Sequence, residues 1–156
     1  MSRSPAEPAP EAEAGATRAD LGFLLAKATQ RWNELLAARF AERGFAEVRP
    51  SYGSLLLPLF EQDGLRMGEL ARRARLTKQT MTTMVRLLER DGLVERRPDP
   101  TDARASLVFL TARSRAFQPV AEDVLGDLDR LVRRRLSPAR MEALKDSLRE
   151  LMDVAD

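Results

Sequence analysis

The side chains best suited to chemistry in this sequence are short polar and basic ones that share one face of a predicted central helix. From Met81, apolar residues recur at the i, i+3, i+4 and i+7 positions of the same helix. Its opposite face is therefore apolar and is expected to pack in the protein core. Small hydroxyl residues let a helix backbone approach a DNA groove, while Gln79 and Arg86 can reach base edges or phosphates. The candidate DNA-contacting residues of this helix are Thr77, Lys78, Gln79, Thr80, Thr82, Thr83 and Arg86.

Enzymatic chemistry has few candidates, because the chain contains neither cysteine nor histidine. That composition excludes disulfides, thiolate nucleophiles, imidazole or thiolate metal sites and every histidine-dependent triad. The 24 Asp and Glu residues remain, but their spacing singles out no catalytic pair. The sequence therefore predicts no catalytic residue, no metal site and no cofactor, and an enzyme is the weakest of the function classes.

The positive charge of the chain is concentrated in its central third. Residues 65–115 hold 12 Lys and Arg against 6 Asp and Glu, a balance of +6, whereas the segments before and after each have a balance of −2. Such asymmetry is expected where one part of a domain faces a polyanion, although an arginine-rich solvated surface would have the same composition.

A second polar feature follows the central helix. Residues 93–97 and 106–110 read as two strands, joined by a long tip over residues 98–104. A short amphipathic helix over residues 68–75 precedes the helix that Thr77 caps, so the order of elements is that of a winged helix-turn-helix. One helix fits the major groove and the wing can then meet the neighbouring minor groove. The wing adds four candidate DNA-binding residues, namely Arg96, Arg97, Asp102 and Arg104.

The flanking segments predict helices around this central part. Residues 1–17 are rich in Pro, Ala and Glu and read as a disordered tail, and a helix of about six turns follows over residues 20–44. A shorter helix begins near Pro50 and is kinked by Pro58. Two long helices, capped by Thr111 and Ser137, close the chain. With no apolar run long enough for a membrane span and no secretory signal, we expect a cytoplasmic protein of the mainly α class with a small β-hairpin wing.

The residues of this central part carry a family resemblance. Residues 68–111, GELARRARLTKQTMTTMVRLLERDGLVERRPDPTDARASLVFLT, resemble the central portion of the MarR family of transcription regulators. The most specific parts are GLVERR at residues 92–97 and DPTDAR at residues 99–104. The resemblance implies a MarR-type domain over residues 18–156. Its DNA-binding portion would be residues 65–111, and residues 20–44 and 112–154 would be dimerisation helices.

The resemblance also implies roles for individual residues and a type of partner. The helix from Thr77 resembles the family's recognition helix, and Arg104 matches the wing arginine that enters the minor groove. Asp102 matches the acidic partner of that arginine, and the alternative for Asp102 is an Asx-type turn residue. A homodimer with two such units would bind the halves of a near-palindromic operator in double-stranded DNA.

A small aromatic effector is a further expectation, because relatives bind aromatic acids between the dimer layer and the winged domain. Candidate pocket residues are Trp32, Tyr52 and Phe60, with Arg49 as an anion partner, although aromatic residues at helical spacing are more often core or dimer interface. Pro58 stands in the second helix and can change the shape of this crevice. Met67 and Gly68 stand where relatives place a Ser or Thr cap, so the helix there is expected to begin without one.

The sequence thus predicts a homodimeric, sequence-specific repressor of transcription that a phenolic or aromatic-acid ligand releases from DNA. Two alternatives stay open. One is a DNA-binding regulator without a ligand, and the other is a helical protein-interaction module whose basic face meets an acidic partner protein. A DNA-binding regulator should show steep salt dependence and a strong preference for one duplex, whereas a protein-interaction module should leave duplex DNA unbound.

Overall fold

The computed structural model describes residues 17–155 of the chain, so the tail predicted over residues 1–17 lies outside the described residues except for Thr17. Helices dominate, and the predicted fold class, mainly α with a small antiparallel sheet, is confirmed. The helices are α1 (Leu21–Glu42), a 3-10 turn (Pro50–Tyr52), α2 (Gly53–Glu61), α3 (Met67–Ala74), α4 (Lys78–Arg90), α5 (Ala112–Leu136) and α6 (Pro138–Met152). The strands are β1 (Leu65–Arg66), β2 (Val94–Asp99) and β3 (Asp102–Leu110).

The sheet has the order β1-β3-β2, with all neighbours antiparallel. The strand β1 was not predicted, because two residues are too short for an alternating pattern. The long wing tip predicted over residues 98–104 is wrong, since Asp99 pairs with Asp102 and only Pro100 and Thr101 form the turn. The Asp99 carboxylate closes this turn by accepting hydrogen bonds from the backbone N–H and the hydroxyl of Thr101, at 2.9 and 2.7 Å.

A small apolar core supports the helix-turn-helix and the sheet. Helix α3 begins after Arg66 without a side-chain cap, as expected, and ends at Arg75, which takes the left-handed conformation with φ 53°. Helix α4 then starts at Lys78, and its apolar face is buried together with side chains from α3 and the strands. The buried set here comprises Leu70, Ala71, Met81, Val85, Leu88, Leu93, Val94, Val108 and Leu110.

Helix α5 is fixed to the end of the sheet by hydroxyl groups. Thr111 caps it by accepting from the Ser114 N–H at 3.4 Å, and the Thr111 hydroxyl donates to the Gly92 carbonyl at 2.6 Å. The buried Ser114 hydroxyl donates to the Leu93 carbonyl. One turn later Phe117 packs edge-on against Phe40 from the second half of α1, with ring centroids 4.8 Å apart. The predicted helix caps at Thr111 and Ser137 are confirmed.

The chain divides into two compact units within α1, residues 1–32 and residues 33–156. In the first unit, the described part of α1 exposes Leu21, Phe23 and Leu24 to solvent. In the second unit lie all the elements that carry the candidate site. No helix among residues 17–155 is both long enough and apolar enough to cross a membrane.

Candidate nucleic-acid interface

Helix α4 presents the polar face that the sequence predicted. Thr77 is its N-cap, and the Thr77 hydroxyl oxygen accepts from the Thr80 N–H at 3.2 Å. The hydroxyls of Thr82 and Thr83 donate to the carbonyls one turn earlier, at 2.9 and 3.2 Å. Because those donors are occupied within the helix, the two threonines offer a methyl group and an acceptor oxygen outward, which suits contact with thymine methyls and base amino groups.

Three cations at this surface have no partner of their own. The exposed side chains of Lys78, Arg86 and Arg104 make no hydrogen bond or ion pair with any residue between 17 and 155. Lys78 and Arg86 stand on α4 and Arg104 on β3, so the recognition helix and the wing each offer unneutralised charge. Such cations can replace the counterions that surround DNA phosphates without first breaking a contact within the protein.

The other two predicted wing cations are engaged within the protein. Arg96 forms an ion pair with Glu89 of α4. Arg97 pairs with Glu95, and its guanidinium carbon lies 4.3 Å from the centroid of the Phe109 ring. Of the three predicted wing arginines, Arg104 is therefore open, whereas Arg96 and Arg97 already make contacts that hold the wing to α4 and β3.

Asp102 contacts the backbone of Arg104 rather than its guanidinium. The Asp102 carboxylate accepts from the Arg104 N–H at 3.0 Å, the geometry of an Asx-type turn. No ion pair between the two side chains occurs in the described part of the chain. Asp102 therefore fixes the backbone direction at the start of β3, from which the Arg104 side chain projects.

The arginines of α3 are balanced by acidic side chains. Hydrogen bonds from Arg72 and then Arg73 lower the pKa of Glu69 to about 2, so this carboxylate stays ionised at any physiological pH. Arg75 donates to the Met152 carbonyl and to the Asp153 carboxylate, both at 3.2 Å. The positive field of the candidate interface therefore comes mainly from α4 and the wing.

A cleft of about 500 Å³ lies between the start of α4 and the first half of β3. It brings Lys78 and Thr82 of α4 to the same opening as Arg104 of β3, whereas the sequence assigns the first two to the helix and the third to the wing. Its cationic rim is suited to a phosphate group of a DNA strand passing between helix and wing. The full lining is Arg66, Met67, Gly68, Glu69, Ala71, Lys78, Met81, Thr82, Arg104, Ala105 and Ser106. Arg66 was missed by the sequence analysis, because the strand that carries it was not predicted.

The four predicted ligand-pocket residues, which the resemblance assigns to a separate crevice between the dimer layer and the winged domain, do not line this cleft. Tyr52 is buried and donates its hydroxyl to Asp91 at 2.5 Å, and Arg49 is exposed. Trp32 belongs to the other unit of the chain. Phe60 lines a cavity of about 230 Å³ between α2 and α5, whose other lining residues are Leu57, Glu61, Gln118, Ala121, Glu122 and Leu125. Among residues 17–155 no group of three or more acidic side chains is placed to hold a metal ion.

A winged helix-turn-helix with an exposed, partly unneutralised recognition helix defines a class of DNA-binding proteins. The sequence profile of the MarR family matches residues 49–106 of this chain. The HTH-type transcriptional repressor Rv2887 of Mycobacterium tuberculosis (strain ATCC 25618 / H37Rv) is 33% identical over 133 residues, which cover 85% of this chain and 94% of that repressor. The chain belongs to the MarR family of DNA-binding transcriptional regulators.

Solved structures resemble the chain over most of its length. The transcriptional repressor CouR, bound to a 23-mer DNA duplex, superposes with a TM-score of 0.73 at 25% identity, covering 89% of this chain and 99% of that one. The PcaV transcriptional regulator from Streptomyces coelicolor, in complex with its natural ligand, has the same fold with a TM-score of 0.76 at 22% identity, over 92% and 99% of the two chains.

Proposed function

We propose that this MarR-family chain is a homodimeric, sequence-specific repressor that acts in the cytoplasm on a near-palindromic operator. Its α4 helix enters the major groove and Arg104 of the wing enters the adjacent minor groove. The observation that carries the proposal is the absence of any partner, within the described chain, for the side chains of Lys78, Arg86 and Arg104. The similar repressor CouR has a solved structure bound to a 23-mer DNA duplex, which supports duplex DNA as the partner of this fold.

Dimerisation is assigned to the helices that flank the winged domain, residues 20–44 and 112–154, with residues 65–111 contacting DNA. Leu144, Leu148 and Met152 follow one another at four-residue spacing on α6 and are 45%, 37% and 61% exposed. An apolar stripe of this kind is covered in a stable protein by another surface, and a second copy of the chain supplies one by two-fold symmetry. Two copies would present two recognition helices to half-sites about one helical turn apart.

A small phenolic ligand is proposed to release the repressor. The cavity beside Phe60 lies between α2 and α5. A ligand bound there can change how α2 packs on α5, and through that packing the orientation of the winged domain relative to α5. The apolar walls of the cavity suit an aromatic ring, but Glu61 and Glu122 at its rim repel a carboxylate. A neutral phenol therefore fits better than an aromatic acid. Release follows if the ligand prefers dimers with mis-spaced recognition helices, and its extent is limited by that preference.

The ligand proposal is tested by titrating phenol or a neutral alkylphenol, and benzoate as the anionic control, into a preformed operator complex. Release by the phenol and not by benzoate supports the proposal, and equal release by benzoate contradicts the assigned class. If neither compound changes operator affinity and neither shifts the thermal unfolding of the protein, the regulator that works without a ligand becomes the better account.

A further inference from the structure

Arg66 lies at the DNA-facing side of the fold, yet its guanidinium is directed at the wing turn. Its Nε forms an ion pair with the Asp99 carboxylate at 2.7 Å, and its Nη2 donates a hydrogen bond to the Thr101 hydroxyl at 3.1 Å. The same Asp99 carboxylate accepts hydrogen bonds from the Thr101 N–H and hydroxyl at 2.9 and 2.7 Å. Three residues from two distant parts of the chain therefore form one closed network.

Asp99 is the centre of this network and is almost fully buried. Its side chain is 5% exposed, whereas that of Arg66 is 52% exposed. The register of β2 and β3 shifts between Pro98 and Asp99, and such an irregularity re-aims a side chain within a strand pair. Removing the partner of a buried carboxylate costs far more folding free energy than breaking an exposed ion pair, because the buried charge then stays desolvated without a partner.

The position of Arg66 connects this network to the DNA-reading helices. Arg66 directly precedes α3 and pairs with Leu107 of β3, and both Arg66 and Arg104 line the cleft beside α4. A rotation of the wing about β3 would have to break the Arg66 contacts with Asp99 and Thr101. The network therefore resists such a rotation, which would move Arg104 relative to Lys78.

We propose that Arg66 is a positioning residue that locks the wing turn to the start of α3, and so presents Arg104 to DNA without itself binding a phosphate. The inference rests on the proposed function for its effect on DNA, but its structural half can be tested in the protein alone. The opposing account is that Arg66, like Lys78, is simply another cation that contacts the DNA backbone.

The first test measures hydrogen exchange at the wing in the protein without DNA. Arg66→Ala is expected to speed exchange at the Thr101 amide and at the ends of β2 and β3, while leaving α5 and α6 unchanged. Arg66→Lys keeps the charge but cannot reach Asp99 and Thr101 at the same time with a planar fork, so it is expected to speed exchange as well. Unchanged exchange of the Thr101 amide in both variants would overturn the proposal, whatever the protein does with DNA.

The second test compares how operator affinity depends on salt in Arg66→Ala and in the matched control Lys78→Ala. Loss of one phosphate contact reduces the slope of log affinity against log salt by about 0.9, and this is expected for Lys78→Ala only. Arg66→Ala is expected to weaken operator binding by roughly tenfold, the scale of one well-placed contact, with an unchanged slope. A slope reduced as in the control would show that Arg66 binds phosphate and would overturn the proposal.

A third comparison asks whether Arg66 acts through Arg104. If it does, Arg66→Ala costs much less affinity in an Arg104→Ala background than in the wild type, because the contact that it positions is already gone. Equal losses in the two backgrounds would contradict the proposed coupling. If the wild-type protein selects no duplex at all, the operator function fails, but the exchange experiment still decides whether Arg66 holds the wing.

Discussion

The Tyr52 hydroxyl donates a 2.5 Å hydrogen bond to Oδ2 of Asp91, the residue that ends helix α4. Tyr52 is buried and lies in the 3-10 turn that leads into α2, so this contact joins two segments 39 residues apart. Burial, followed by the Asp91 carboxylate, raises the pKa of Tyr52, and the hydroxyl therefore stays protonated as a donor at neutral pH. Helix α4, which carries the candidate DNA-binding face, is thus connected at its C-terminal end to the segment that leads into α2.

Tyr52→Phe tests how much the hydrogen bond between Tyr52 and Asp91 contributes to stability. The variant keeps the buried ring and removes the donor, so we expect the free energy of unfolding at pH 7 to fall by about 1 kcal/mol, measured by urea denaturation. The Tyr52 hydrogen bond and then Arg90 lower the pKa of Asp91 below its ordinary 3.8. A carboxyl with a depressed folded-state pKa stabilises the fold above its unfolded pKa and loses that contribution as the pH falls through the folded value.

The difference between wild type and Tyr52→Phe should therefore be full at neutral pH and shrink below about pH 4, where Asp91 begins to protonate in the unfolded chain. A difference that stays constant down to pH 2 would show that the stability comes from the ring environment and not from the Asp91 carboxylate.

Arg104→Ala tests the assignment of the wing. We expect specific operator binding to weaken by roughly 1–3 kcal/mol with the dimer intact, because the change removes one groove contact and no core packing. Arg140→Ala is the matched control, since Arg140 is also exposed and also has no side-chain partner among the described residues, but stands on α6. Fluorescence anisotropy with a labelled operator measures both. Equal effects of the two substitutions would mean that only the total charge matters.

Leu148→Glu tests the dimer. A carboxylate placed in the middle of the exposed stripe on α6 would be buried without a partner in the proposed interface, so we expect monomers in sedimentation velocity at micromolar concentration. Ser147→Glu, one position along the same helix, provides an exposed control that adds the same charge. If both variants sediment as the wild type does, α6 is not at the dimer interface.

Gly64→Ala tests whether the turn between α2 and β1 requires a glycine. Gly64 has φ 70°, and a Cβ atom there would lie 2.7 Å from Cε1 of Phe109. We expect the substitution to lower the free energy of unfolding by about 1–3 kcal/mol. Gly68→Ala, in the first turn of α3 with no atom within 4 Å of the new Cβ, should be neutral or stabilising by up to about 1 kcal/mol. Similar thermal shifts in both variants would contradict this account.

The parts of the fold that the sequence predicted well are those with local signals. Thr77 stands before an amphipathic run, and the structure shows the expected hydrogen bond to the Thr80 N–H. The mainly α fold class could be predicted because the apolar periodicity of α4, α5 and α6 is sustained over several turns.

The parts that were missed depend on residues distant in the chain. The contacts of Arg66 with Asp99 and of Arg96 with Glu89 cannot be read from spacing, because the strand pairing decides which side chains meet. The wing tip was predicted too long, because its Pro and Asp residues signal a turn but do not fix where the strand pairing stops. The sequence leaves Asp102 either as a partner of the Arg104 guanidinium or as a turn residue, and its hydrogen bond with the Arg104 backbone N–H is that of the turn.

The most direct test of the central claim is selection of bound duplexes from a random DNA pool, followed by affinity measurements of the selected duplexes at two salt concentrations. A homodimeric repressor predicts enrichment of two inverted half-sites about one helical turn apart, with binding to that duplex at least 1000-fold tighter than to random DNA, about the lower end for specific regulators. No enriched sequence, with binding that simply falls as salt rises, would contradict the account and leave residues 65–115 as a basic surface without sequence preference.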